Sequence, residues 1–406
     1  MLDAHQPEFG TVFDADNHYW EASDAFTRHR DPKFGDRGLQ VREIDGQKRY
    51  VLGGQVFEGL PGPGDATLRP APGAFLGYFV GKIKGTEFVE RFDVEPADRP
   101  DWFNRDARLK VMDSQGVNAC WLFPSQAVVL EAPMLATGDI EASVASVQAF
   151  NRWLEEDWGF AYQNRIFAVP YMTLSDPDIA AAEMKWAIER GARVVNVRHG
   201  PAVTKDGLKS PANPMFDRFW ALAEEAQVTV SFHAGADYSS MQSYAALREM
   251  YGEMPDGSNP EDKIGYMVGS IFPPMLKGRQ IQDFAYILVA HRLFERFPKL
   301  RCAFVENGAS WVPPLLYALE MLEHTGNYKQ DPREQFIEHC WVVPYPEDDM
   351  EQLVRHLPTN RIIFGSDWPH GEGLVHPRDF FRNVEGLSDA DVQRIMRDNA
   401  RELTFV

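Results

Sequence analysis

The stretch ARVVNVRHGPAVTKDGLKSPANPMFDRFWALAEEAQVTVSFHAG, residues 192–235, holds one complete unit of the fold. It opens on an apolar, β-branched run, passes through a helical period in PMFDRFWALAEEA (214–226) and closes on a second run, VTVSFHAG (228–235). Both runs are apolar on successive rather than alternate residues, as in strands of a parallel sheet buried on both faces. Toward the N-terminus the unit recurs. IFAVPYMTL (166–174) precedes SDPDIAAAEMKWAIERG (175–191), which carries a Ser175-x-x-Asp178 capping signal and closes on Gly191. Before it come NACWLFPS (118–125), led by the helix-like DARLKVMDSQG (106–116), and GTVFDAD (10–16). Toward the C-terminus, helix-like LVAHRLFERFP (288–298) leads into LRCAFVENG (300–308). HCWVVPYP (339–346) and NRIIFGSDWP (360–369) complete the series. Eight strands alternating with helices predict a (β/α)8 TIM barrel of the metal-dependent hydrolase type, in one domain spanning 1–406. A doubly wound open sheet would show a Gly-rich phosphate turn after its first strand, and DADNHYWE (14–21) is not one.

Two stretches break the alternation. Residues 24–105, with LPGPGDATLRPAPGAFLGYF (60–79) at their centre, form an insertion after strand 1, and 236–280 form another after strand 5. Both leave the C-terminal ends of strands, where barrel active sites are built, so each reads as a lid, a binding wall or a subunit contact. The chain has 406 residues, 44% hydrophobic and 25% charged, an ordinary globular composition. Its formal charge of −19 repels phosphate backbones and argues against nucleic acid. Cys120, Cys302 and Cys340 sit in strand-like runs with no metal spacing and read as buried free thiols. No run is long enough to span a membrane, and MLDAHQPEFG lacks a signal-peptide pattern, so a soluble cytoplasmic protein is expected. A homo-oligomer, a dimer first, fits the amount of inserted loop; a hetero-oligomer is the alternative.

The polar residues cluster where strands end. Asp16 and His18 close the first strand, His233 the fifth, Glu306 the sixth and Asp367 the eighth. Each follows an apolar run that would bury it unpaired. Singly, each has a plain reading: a turn or cap for Asp16-x-His18 and Asp367, a core histidine for His233. Together they converge on one barrel mouth and read as the shell of a divalent metal, Zn²⁺, Mn²⁺ or Fe²⁺, one per chain with room for a second. Glu21 lies three residues past His18, and His370 three past Asp367, spacings that bring both toward the same rim. Their plain readings are a first-turn acid and a loop residue. Arg198 and His199, at the end of strand 4, and Trp311 after strand 6 are the candidates for substrate binding. Arg198 would hold a carboxylate in a bidentate pair, or else form a structural ion pair.

FDADNHYWE (13–21), SFHAG (231–235), FPKLRCAFVENGASWVP (297–313) and IIFGSDWPH (362–370) resemble the amidohydrolase-related family that includes aminocarboxymuconate semialdehyde decarboxylase and γ-resorcylate decarboxylase. FNRWLEEDWGFAYQNRIFAVPYMTLSDPDIAAAE (150–183) and LSDADVQRIMRDNARELTFV (387–406) extend the likeness, so that only the two insertions look individual. The resemblance implies metal ligation by His18, His233 and Asp367. It also exposes two departures: Asp16 stands where the family has the first His of a His-x-His pair, and Glu306 where it often has an acid/base His. The shell is therefore richer in carboxylate, which favours Mn²⁺ or Fe²⁺ over Zn²⁺. A carbamylated lysine at the end of strand 4, the binder of two metals in many amidohydrolases, has no counterpart in VVNVRHG (194–200).

The resemblance implies hydrolysis or non-oxidative decarboxylation of a small carboxylated molecule, with Glu306, near Phe304 and Trp311, and Asp367 as catalytic residues. Its first alternative is a non-haem iron or manganese monooxygenase on the same fold. Metal ligation by Glu21, Glu306 and His370 would favour that reading. A non-catalytic partner subunit is the second alternative.

Overall fold

The structure is a computed structural model, and it describes residues 10–57, 60, 62–79, 92–235 and 278–405. The insertion expected over 236–280 lies outside them apart from its last three residues. Eight parallel strand segments follow the predicted order: Val12–Tyr19, Val117–Pro124, a third strand in two pieces (Ile166–Ala168 and Tyr171–Met172), Val194–Val197, Thr229–His233, Arg301–Val305, Cys340–Val342, and the segment 362–366. Pro170 splits the third strand because it has no N–H to donate to the ladder. Backbone bonds then join 362–366 to both neighbours: Ile363 N donates to Val342 O at 3.0 Å and Ala15 N to Phe364 O at 2.9 Å. The ring thus runs from the eighth segment back to the first.

Its interior is filled by Phe13, Ala15, Trp121, Phe123, Phe167, Val169, Val194, Val305, Val343 and Ile363, all buried. Ala400 and Leu403 of the C-terminal helix Asn399–Thr404 join that cluster, and Thr404 Oγ1 accepts from Trp121 Nε1 at 2.8 Å. A larger apolar layer packs between the ring and the helices. Cys120, Cys302 and Cys340 are buried free thiols, as expected.

The helices form where the period predicted them, with three differences, one being that PMFDRFWALAEEA opens as a 3₁₀ turn, Pro214–Phe216, before the α-helix Asp217–Glu225. The helix after strand 3 is Pro177–Glu189, capped by Asp176, whose carboxylate accepts from Asp178 N and Ile179 N, rather than by Ser175. Pro177 suits the first helical position because its φ is preset, so the residue before it becomes the cap. LVAHRLFERFP is two helices, Arg279–Ala290 and Leu293–Arg296, because Arg292 takes a left-handed φ of 58° between them.

Strand 1 carries the feature that builds the site. Asp14 faces Cys120 and Asn17 faces Leu122, so three steps of strand 1 match two of strand 2. This extra residue shifts the alternation. Phe13 and Ala15 point inward. Continued regularly, the pattern would turn Asn17 inward; instead His18 joins Phe123 inside and Asn17 meets Arg108 of the helix Arg105–Gln115. The Asp14 carboxylate accepts from Asp16 N (3.2 Å), Asn17 Nδ2 (2.9 Å), Ser366 N (2.9 Å) and Ser366 Oγ (2.6 Å), clamping the bulge to the eighth strand.

Gly365 faces that bulge, and a Cβ there would meet Asp16 Cβ at 2.4 Å and Val343 Cγ1 at 2.7 Å. We expect Gly365→Ala to cost about 1–3 kcal/mol, the usual penalty for overpacking. Urea unfolding checks this; an unchanged midpoint would mean that strands 1 and 8 do not pack as described.

Candidate metal centre

Asp16, His18, His233 and Glu306 meet at the C-terminal mouth of the ring. His18 Nε2 lies 3.1 Å from Asp16 Oδ1, 3.2 Å from His233 Nε2 and 3.6 Å from Glu306 Oε2. His233 Nε2 lies 3.3 Å from Asp16 Oδ1 and 3.1 Å from Glu306 Oε2. These five separations run from 3.1 to 3.6 Å, and the four donor atoms all lie within 4.8 Å of one another, close enough to share one cation. Calcium takes oxygen ligands, whereas two of these four donors are imidazole nitrogens. The donor set fits Zn²⁺, Mn²⁺ or Fe²⁺, and it forms a metal-binding site. Asp367 borders it, with Oδ1 3.4 Å from His18 Nε2, and His370 Nδ1 lies 2.6 Å beyond at Asp367 Oδ1. The donor atoms of His18, Glu306, Asp367 and His370 form a second group within 4.8 Å of one another.

Each side chain is aimed by its backbone. Glu306 and Asp367 take left-handed φ values of 55° and 56°, unusual for residues with a Cβ. Such conformations cost on the order of 1 kcal/mol and persist where the surroundings enforce them. The Glu306 carbonyl accepts from Tyr345 Oη at 2.5 Å, and Asp367 N donates to Asp16 O at 2.8 Å. His233 is fixed by Asn196, whose Oδ1 accepts from His233 N at 3.1 Å, and by its own Nδ1, which faces Ala234 O at 2.9 Å. That contact makes Nδ1 the donor and leaves Nε2 free for a metal. His199 also serves His233: its Nδ1 donates to the His233 carbonyl at 3.0 Å, and burial pushes the ring's pKa down to about 4. The structure therefore places the His199 ring against the backbone of His233.

Three other expectations are corrected. Glu21 is not among the donors; its Oε1 accepts from Gln126 N (2.8 Å) and Ala127 N (2.9 Å) and caps the helix Ala127–Ala136. Arg198 is engaged within the protein: Nε donates to Glu131 Oε2 at 3.0 Å and Nη2 to Pro201 O at 2.5 Å. The ion-pair reading holds, with Glu131 rather than a site acid. Trp311 is buried against Phe304 and Phe336 in the layer outside the ring, because strand alternation turns Phe304 outward.

Sequence reasoning missed Asp14, Ser366, Ser125 and Glu372. Only Asp14 left a trace, two residues before Asp16 on the same apolar run. The insertion after strand 1 also reaches the mouth: Gly73 N donates to His370 O (3.1 Å) and Phe75 N to Gly371 O (2.6 Å). Its Arg69 stacks 4.2 Å over Trp20, whose ring lies 5.3 Å from His370.

Burial, hydrogen bonds and neighbouring charges set the proton affinities of the groups at the mouth. Burial opposes charge on His18, yet hydrogen bonds with Asp16 and Glu306 hold its pKa up at about 9. Burial likewise opposes charge on Asp16, and the bonds from His18 and His233 keep it below the ordinary carboxylate range. Burial, then the charges of Glu306 and Glu372, push Asp367 well above that range. Burial raises Glu21 and Glu372 to about 7.

A family model described as amidohydrolase matches residues 13–404. An amidohydrolase from Mycobacterium avium subsp. paratuberculosis K-10 is 36% identical, and its crystal structure superposes with a TM-score of 0.86 over 98% of both chains. A 2-amino-3-carboxymuconate-6-semialdehyde decarboxylase from Dictyostelium discoideum is 24% identical over 121 residues. That match spans 27% of this chain and 32% of the relative's own length. A dihydroxybenzoic acid decarboxylase from Polaromonas sp. JS666 was solved with bound manganese and 2-nitroresorcinol. It is 18% identical with a TM-score of 0.55 over 83% of this chain and 95% of that one, a likeness of fold. Among the described residues, no helix is long and apolar enough to cross a membrane.

The shifted groups give a signed prediction for the metal-free protein. Glu21 and Glu372 bind protons more tightly folded than unfolded, so their contribution falls as pH rises toward 7. His18 stabilises below its ordinary value and loses that contribution as pH passes about 9. We expect Tm to fall steadily from about pH 6 to about pH 9. Bound Mn²⁺ should flatten the slope by displacing protons from the ligands. Differential scanning calorimetry of metal-stripped and reloaded protein checks both, and a rising Tm over that window would contradict the assignment.

Proposed function

This chain belongs to the amidohydrolase family and is a metalloenzyme of that superfamily; on that premise we propose that it hydrolyses or non-oxidatively decarboxylates a small carboxylated organic molecule. The observation that carries the reading is the set of four donor atoms, two imidazole nitrogens and two carboxylate oxygens from strands 1, 5 and 6, gathered within 4.8 Å of one another at the mouth. Manganese or iron is favoured over zinc because Asp16 and Glu306 are hard oxygen donors beside the two imidazoles. The 24% identical relative and the manganese-bound protein from Polaromonas are both decarboxylases, which supports that half of the proposal.

When bound, the metal would polarise a carboxylate or carbonyl, or lower the pKa of a bound water. Asp16, His18, His233 and Glu306 would hold it. Asp367 is the group placed to move a proton at Oδ1, where burial and its acidic neighbours favour the protonated acid. A protonated Asp367 suits decarboxylation, which must return a proton to the carbon that loses carbon dioxide. The segment 62–75, bonded to the loop after strand 8, would wall the mouth against water.

One observation favours oxidative chemistry as a second reading: Glu306 and His370 both lie in donor groups, although Glu21 does not. Dioxygen uptake by the iron-loaded protein would distinguish it. For the main reading, we expect the Mn²⁺-loaded protein to release carbon dioxide from a panel of hydroxybenzoates and unsaturated dicarboxylates, or to hydrolyse their amides. Asp367→Asn should lower turnover by roughly 10²–10⁴-fold. Equal rates in the variant would remove Asp367 from the chemistry, and inertness toward the whole panel would remove the substrate class.

A further inference from the structure

Among the described residues, Arg108 is a fully buried cation with no ion-pair partner. It lies outside the ring on the helix Arg105–Gln115. Its Nε donates to the carbonyl of Asp101 at 2.8 Å and its Nη1 to Asn17 Oδ1 at 2.5 Å. The carboxylate of Asp101 is taken by Arg99, 2.8 Å away. The guanidinium stands 4.6 Å from the centre of the Trp368 ring. Burying a charge alone is costly, so a counter-charge is to be sought within reach of its hydrogen bonds.

Asn17 leads to that counter-charge. A guanidinium only donates, so it holds the amide with Oδ1 toward Arg108 and turns Nδ2 to Asp14 Oδ2, 2.9 Å away. The opposite rotamer would set the amide oxygen against the carboxylate, two acceptors facing each other. Asp14 is itself buried, and each of its oxygens takes two donors: Asp16 N and Ser366 N on Oδ1, Asn17 Nδ2 and Ser366 Oγ on Oδ2. What Asp14 holds is the backbone of the metal centre, since Asp16 is one of its donors and Ser366 precedes Asp367. Arg108 reaches the same turn by a second route. Trp368, over which it stacks, accepts from His18 N through its carbonyl at 2.7 Å.

We propose that Arg108 is the counter-charge of Asp14, relayed through the Asn17 amide, and that this relay positions the metal centre from outside the ring by fixing Asp16 and the turn 366–368. Arg108 and Asn17 are thus positioning residues that touch no ligand atom of the centre. The proposal rests on the metal-centre reading above.

The test uses the full-length, metal-stripped chain and Mn²⁺ alone, whose free six-line electron paramagnetic resonance signal reports the Kd. We expect Arg108→Met and Asn17→Leu each to weaken Mn²⁺ binding roughly 10–100-fold, the usual effect of losing a partner that orients a ligand. The double variant should bind within about twofold of the weaker single one, because both substitutions cut the same path. Arg108→Lys, which keeps the charge, should recover part of the loss. Without metal, amide hydrogen exchange of residues 12–19 and 362–370 should run roughly tenfold faster in either single variant. Circular dichroism confirms folding, and Arg108→Gln replaces the methionine variant if that one fails. An unchanged Kd on loss of the guanidinium, whatever the Tm, would overturn the proposal and leave Arg108 a packing residue. Losses that multiply in the double variant would overturn it too, by separating Arg108 from Asn17. No bound Mn²⁺ in the natural chain would overturn the metal-centre reading instead, and the exchange rates would then decide the relay by themselves.

Discussion

Like charges buried within a few ångströms of one another repel strongly, because the surrounding side chains screen them poorly. The mouth of this barrel gathers Asp16, Glu306 and Asp367 with His18, His233 and His370 in such a space. Protons can balance the cluster, as the raised His18 and Asp367 and the lowered Asp16 indicate. A dication balances it better, and its ligands must first give up those protons. The rest of the site follows from keeping these groups together despite their repulsion.

The backbone does most of that work. One extra residue in strand 1 turns His18 inward, and the Asp14 carboxylate takes the N–H groups of Asp16 and Ser366 at the bulge. Gly365 is required opposite, because Asp16 occupies the space its side chain would fill. At strands 6 and 8 the aim comes from left-handed turns at Glu306 and Asp367. Their strain is small beside the cost of an unpaired buried carboxylate, so it is tolerated where a cation is to be bound.

A second tier of hydrogen bonds settles which nitrogen each imidazole offers. His233 faces Ala234 O with Nδ1 and presents Nε2; His370 faces Ser125 with Nε2 and presents Nδ1. His199 supports the strand end beneath His233. The insertion after strand 1 closes over the same region through Gly73 and Phe75, which tie it to His370 and Gly371. Metal ligation, tautomer choice and the wall of the mouth are therefore coupled through one short loop, residues 366–375.

The eight strands, their order and the acids and imidazoles at their ends were legible in the amino-acid sequence, because burial on both faces writes itself as continuous apolar runs. A charged residue at the end of such a run has to be paired or bound, since burying it alone costs too much. The partners of those residues were not legible. Arg198 and Glu131 are 67 positions apart, and Ser125 and His370 are 245 apart. No local pattern pairs them; only the closing of the ring does. The Asp14–Asn17 bulge, the left-handed turns and the Glu21 cap were equally silent, since each is a choice among backbone states that the same residues can take. Which chemical groups reach the mouth was thus determined by sequence. Which atom of each faces a metal was decided by tertiary structure, because hydrogen bonds from distant segments set side-chain direction and tautomer.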